Sequence, residues 1–303
     1  MWSHDVVHEW KYAHPANVPH SRFDRIIVTF LENHNFTEAM NVKAYREIAK
    51  KGLLMTKYYG AVHPSQPNYI ASIAGDYFSD EVHGATDEDV HFTGKKILTD
   101  LLDEAGLTWK TYQESYPGNS TFCFTESGNA TVFGTEGGPT VGNSRLYKRK
   151  HNPFMSFSQI EHNTEYCTAH VFDGPQLKED IKAGTVPNYA FYTPNMCEDG
   201  HDSDVDALKA DPIEGRTSEC NDFFHDKGDG RNLYMFVFDE DNYMSDQRIY
   251  AALVGSAVPE HLVGTTSDIR MSHYSIISTI SANWGLPNLG RFDVDAPVFP
   301  LSA

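Results

Sequence analysis

Four apolar runs in this chain each break off into a knot of acids, amides and histidines, and that repetition constrains the fold more than any other feature. "RIIVTF" is followed by "ENHN" after one leucine, "TKYYGAV" by "HPSQPN", "VPNYAFYTPN" by "CEDGHD" after one methionine, and "NLYMFVF" by "DED". Short runs rich in β-branched and aromatic residues suit strands buried on both faces. "LTWKTYQE" reads as a further strand. Between the strands, "TEAMNVKAYREIAKKG" has helical spacing with Gly52 as its stop, and "PNYIASIAG" reads as a short helix. "KKILTDLLDEAG" places Leu98, Leu101 and Leu102 on one helical face, and "DQRIYAALVGSAV" and "HYSIISTISANWGL" predict two more helices. Strands separated by helices predict an α/β fold, a three-layer α/β/α sandwich around a mainly parallel sheet. The expectation is a single domain over residues 1–303, with long loop insertions near 114–144, rich in Gly, Ser, Thr and Asn, and near 197–230, rich in Asp and Gly.

Ligands of open α/β sheets bind beyond the carboxyl ends of the strands. That edge would gather Glu32, Asn33, Ser65, His201, Asp202, Asp239 and Glu240. Ser65 lies between Pro64 and Pro67 where the helical pattern begins, and a helix start with its free N–H groups attracts phosphate-like anions. A serine hydroxyl is a poor nucleophile until a base or a metal lowers its pKa. No Gly-x-Ser-x-Gly elbow surrounds Ser65, which argues against an ordinary serine esterase. The acids and the amide supply oxygen donors for a hard divalent cation, Ca, Mg, Mn or Zn, with room left for Ser65 and a substrate oxygen. Other readings stand beside these: Asp239 and Glu240 also suit the first turn of a helix near Met244, and Asn68 either caps its helix or donates to a phosphoryl oxygen.

A formal charge of −18 repels nucleic acid, and fifteen histidines would offset most of it in acidic surroundings. No apolar run approaches the ~18 residues that cross a bilayer. Cys123, Cys167, Cys197 and Cys220 are widely spaced, which leaves two disulfides or four thiols open. Sequons at Asn35, Asn119 and Asn129 favour a secreted glycoprotein. "MWSHDVVHEW" lacks the apolar centre of a signal peptide, as expected of a mature secreted chain with an added Met.

In order along the chain, "FLENHNF", "HPSQPNYIASIAGD", "YKRKHNPF", "PNMCEDGHD", "FVFDED" and "SHYSIISTISANWGLPNLG" resemble the phosphoesterase family of the alkaline phosphatase superfamily, which includes secreted fungal acid phosphatases and phospholipase C-type enzymes. The resemblance runs from about Phe30 to Gly290. It implies hydrolysis of small phosphate monoesters through a phosphoserine on Ser65, with Glu32, Asn33, Asp239 and Glu240 around one divalent metal. It also implies that His151, His201 and His273 contact the phosphoryl oxygens or the leaving group, as cations that would favour acidic pH. Asp239-Glu240 stands where the wider superfamily's two-zinc pattern has Asp-His. A phosphodiesterase on the same site and a catalytically silent binding protein are the alternatives.

Overall fold

The computed structural model describes residues 21–126, 146–196, 198–201, 230–243 and 246–301. Its strands are β1 (Arg25–Leu31), β2 (Gly52–Met55), β3 (Tyr58–Tyr59), β4 (Trp109–Gln113), β5 (Val171–Asp173), β6 (Tyr189–Thr193), β7 (Asn232–Phe238), β8 (Arg248–Ile249), β9 (Ala251–Val254), β10 (Thr265–Ser267) and β11 (Met271–Ser272). The helices are α1 (Phe36–Asn41), α2 (Lys43–Lys50), α3 (Ser65–Ala74), α4 (Leu98–Glu104), α5 (Ser158–Glu161), α6 (Thr164–His170), α7 (Gln176–Ala183) and α8 (Tyr274–Trp284).

Eight strands form the main sheet in the order β10-β2-β9-β7-β1-β6-β4-β5, with helices on both sides. β1 lies at its centre, parallel to β6 and β7, with Val28 level with Phe191 and Met235. Every residue of β7 is buried, as a run of this composition requires when helices cover both faces of a sheet. β11, β3 and β8 form a separate small sheet. The predicted three-layer α/β/α arrangement is therefore present.

Two local expectations fail for physical reasons. "DQRIYAALVGSAV" contains β8 and β9 rather than a helix, and β9 runs antiparallel to both β2 and β7. A four-residue buried run such as Ala251–Val254 carries too short a period to tell a strand from a helix, and its pairing between β2 and β7 decided it. The second main-sheet strand is "GLLM", not "TKYYGAVH". Gly52 both ends a helical stretch and starts β2, where a Cβ would stand 1.9 Å from the Leu253 carbonyl oxygen. The 114–144 insertion is described only to residue 126, and of the 197–230 insertion only 198–201 and residue 230 are described. Asn129, Cys197, Asp202, Cys220 and Met244 lie outside the described residues. Cys123 and Cys167 form a disulfide that ties the start of the first insertion to α6.

α3 positions the site. All ten of its residues are buried, it packs against α8, and Gly75 ends it with a left-handed φ of 72° that suits glycine. Beneath it Phe30 stacks on Phe191 with ring centres 5.1 Å apart, and both rings approach Tyr69. Phe154 closes edge-on against Phe191 at 5.6 Å. Phe191→Ala should cost about 3–5 kcal/mol by opening a cavity where α3 meets the sheet, read as an earlier urea midpoint with an unchanged slope.

Candidate active site

β1 and β7 are neighbours, so Glu32 and Asp239, which directly follow them, emerge side by side at one edge of the sheet. Two details fix this corner. The Asp239 N–H donates to the Leu31 carbonyl, extending the ladder past the last strand residues. Asn33 then takes a left-handed φ of 65°, and its N–H donates to Asp239 Oδ1 at 2.9 Å. An extended chain would point Glu32 and Asn33 to opposite faces, and the left-handed turn relieves that alternation. Asn tolerates this conformation better than most residues, and departures of this kind collect at functional sites.

α3 brings Ser65 to the same corner. Its hydroxyl lies 3.0 Å from Glu32 Oε2 and 2.9 Å from Glu240 Oε1, and the residue is only 1% exposed. One hydroxyl has one proton, so it donates to only one of the two carboxyl groups at a time. Burial shifts all three acids at this corner. It raises the Glu32 carboxyl well above the usual range, assisted by the charges of Asp239 and Asp199. Burial also raises Asp239, to about 6, and burial with the Asp239 charge raises Glu240, to about 9.

Other side chains hold the acids in place. Tyr69 donates to Glu32 Oε1 at 2.5 Å, and His151 Nε2 stands 3.2 Å from the same oxygen with its ring stacked on Tyr69. His63 bridges Glu240 and Asp241, and its ring stacks on Tyr243 at 3.7 Å. His273 Nε2 pairs with the Asp239 carbonyl at 2.6 Å, a contact in which the ring nitrogen donates. Asn68 accepts from the N–H groups of Ala61 and Val62 and donates to the carbonyls of Val62 and Pro64. Its amide is committed to the turn before α3, so it braces Ser65 rather than reaching into the site.

Burial works against charge on two of the three histidines expected as candidates for a cation. Burial, seconded by Lys150, lowers His151 well below its usual pKa, and burial lowers His273 to about 4. His201 is exposed, with its N–H on Asp199 Oδ1 at 2.9 Å.

Sequence reasoning missed Tyr69, Lys150 and Asp199. Tyr69 stands four residues after Ser65, one helical turn away on the same face, which is a readable signal. Lys150 in "KRKHNP" reads as part of a solvated turn. Yet Arg149 beside it is 2% exposed, donating to the carbonyls of Thr125 and Met155 and pairing with Glu161. Lys150 Nζ donates to Asp87 Oδ2 at 2.5 Å.

The donor set suits a hard cation. Asn33 Oδ1 and Asp239 Oδ2 are buried without a hydrogen-bond partner among the described residues, acceptor atoms of the kind that call for an ion or water. Among the described residues, no three His, Cys, Asp or Glu side chains already stand in ligand geometry. The fit therefore rests on oxygen chemistry and on these two unpaired acceptors.

The phosphoesterase family profile matches residues 1–241. The chain belongs to the phosphoesterase family. Phosphoesterase relatives include the phosphate-repressible acid phosphatase of Penicillium chrysogenum, 34% identical over 96% of this chain and 66% of that protein. The phosphatidylinositol-3-phosphatase of Mycobacterium tuberculosis is 25% identical over 91% of this chain and 81% of its own length. The chain spans 62–66% of the length of the four fungal acid phosphatases it matches. In fold, this phosphoesterase resembles a member of the alkaline phosphatase superfamily from Vibrio parahaemolyticus, with a TM-score of 0.56 and 11% identity over 91% of this chain and 71% of that one.

A carboxyl with a raised folded-state pKa binds its proton more tightly in the folded protein than in the unfolded chain. Its stabilising effect is full below the ordinary value of 4.5 and is lost as pH rises through the folded value, about 9 for Glu240. In cation-free buffer, Glu240→Gln should therefore gain stability relative to the parent protein between about pH 5 and about pH 8. Paired urea titrations at the two pH values measure the gap, and a constant gap would contradict the assigned burial effect.

Proposed function

We propose that this protein is a secreted, metal-assisted acid phosphatase that hydrolyses small phosphate monoesters through a phosphoserine on Ser65. The observation that carries the reading is the Ser65 hydroxyl, buried at the start of a helix within 3.0 Å of two acids that follow two adjacent parallel strands. Family membership and the phosphatase names of the relatives support the same reading. The Cys123–Cys167 disulfide and the exposed sequon asparagine Asn119 support an oxidising, secretory route. Among the described residues, no helix is long and apolar enough to cross a membrane.

Ser65 Oγ attacks phosphorus in line as its proton passes to Glu32 Oε2. The Oγ–P bond forms, the bond from phosphorus to the leaving oxygen breaks, and solvent protonates the released alkoxide. Water then attacks the phosphoserine, losing a proton to solvent, and Glu32 returns its proton to Ser65 Oγ. Tyr69 keeps Glu32 oriented through both steps, while Asn68 holds the turn that presents the hydroxyl. Glu32, Asn33, Ser65, Asp239 and Glu240 would hold one divalent cation. When bound, it supplies positive charge that lowers the hydroxyl pKa and stabilises charge on the phosphoryl oxygens.

Ser65→Ala should reduce turnover of nitrophenyl phosphate at least about a thousandfold while leaving the urea midpoint within experimental scatter. Acid-quenched native enzyme should yield a phosphorylated peptide containing Ser65, and a phosphate-free peptide during turnover would contradict the covalent route. A divalent cation should stabilise the native protein by about 2.7 kcal/mol at a hundredfold excess over Kd, read as a higher melting temperature, and Asp239→Asn should abolish most of that gain. Faster cleavage of bis-nitrophenyl phosphate than of the monoester would move the assignment to a phosphodiesterase.

A further inference from the structure

We propose that Lys150 is a catalytic residue of this site, its ammonium pairing with a non-bridging phosphoryl oxygen while Ser65 attacks. The assignment rests on the phosphatase reading and adds to it the group that recognises the anion. A phosphate entering this corner meets Glu32, Asp239 and Glu240, three buried acids. Such an anion needs a fixed cation from the protein in addition to any bound metal ion.

Lys150 has the position. The turn Arg149–His151 packs against α3, and His151 in that turn reaches Glu32. The Lys150 side chain is only 18% exposed. Its Nζ donates to Asp87 Oδ2 at 2.5 Å, and Asp87 Oδ1 accepts the Gln66 N–H at 3.0 Å. One carboxylate therefore separates the ammonium from the amide that follows Ser65.

Neighbouring residues explain why this lysine serves. Arg149 is locked to the Thr125 and Met155 carbonyls and to Glu161, which anchors the turn and leaves its guanidinium committed to structure. A lysine on a flexible stem can exchange its Asp87 carboxylate for a phosphoryl oxygen without moving the backbone. Before substrate arrives, Asp87 occupies both the ammonium and the first-turn amide, and a phosphoryl group offers oxygens to both donors.

Inorganic phosphate is the probe, with affinity read by calorimetry and by competitive inhibition of nitrophenyl phosphate turnover, on the full chain loaded with divalent cation. Lys150→Gln should weaken phosphate binding and lower kcat/KM, each by about 10- to 100-fold, and Lys150→Arg should recover a large part of both. Asp87→Asn removes the ion pair and keeps the ammonium, so phosphate affinity should hold or tighten. Equal losses in Lys150→Gln and Asp87→Asn would reduce the lysine to a structural ion pair and overturn the proposal, as would unchanged phosphate affinity in Lys150→Gln. Native protein that binds phosphate through Lys150 but turns over no monoester would defeat the phosphatase reading and overturn the catalytic assignment with it, leaving Lys150 an anion-binding residue alone.

Discussion

Buried carboxylates crowded around one hydroxyl are the constraint on which this site depends. Glu32, Asp239 and Glu240 are each no more than 2% exposed. Left alone at that depth, such groups give up charge rather than stay ionised. The surrounding structure is arranged to make their burial tolerable: Tyr69 donates to Glu32, His63 bridges Glu240 and Asp241, and the N–H groups of Asn33 and Glu240 converge on Asp239 Oδ1. What the protein leaves unpaired is as telling. Asp239 Oδ2 and Asn33 Oδ1 are acceptors without donors among the described residues, which gives a cation two oxygens no internal group competes for.

The same constraint accounts for the division of labour among the histidines. A buried imidazole in contact with a backbone carbonyl, as His273 is with Asp239, serves as a donor that fixes the end of β7. His151 Nε2 stands 3.2 Å from Glu32 Oε1 without hydrogen-bond geometry, while its ring lies flat on Tyr69. Burial opposes charge on both, and a cation proposed to recognise the anion has to keep its charge when partly covered. Lys150 is such a group: burial works against its charge, but the acids around it outweigh that effect and raise its pKa.

Much of the fold was legible because strand and helix leave different periods in the chain. "RIIVTF" and "NLYMFVF" became the central strands β1 and β7, and the polar residues after them met at one edge, as parallel pairing requires. Ser65 was legible because proline brackets and the helical run after it fix the start of α3. The failures came where the period is short or the role depends on distant partners. Ala251–Val254 could be read either way, and only pairing with β2 and β7 made it a strand. Asn68 looked like a phosphoryl donor until its amide was found bonded to residues 61–64. Lys150 looked solvated because nothing local shows that Arg149 turns inward and carries its neighbour with it.

By itself the sequence determined the alternation of buried strands and helices, the serine at a helix start, and the acids at the strand ends, because backbone geometry and side-chain periodicity act over a few residues. Tertiary structure alone decided which acids face the serine, which histidines are buried and where the lysine points. Those properties depend on dielectric burial and on partners more than 200 residues apart, as between Asn33 and Asp239, which are 206 residues apart, and no local pattern records either.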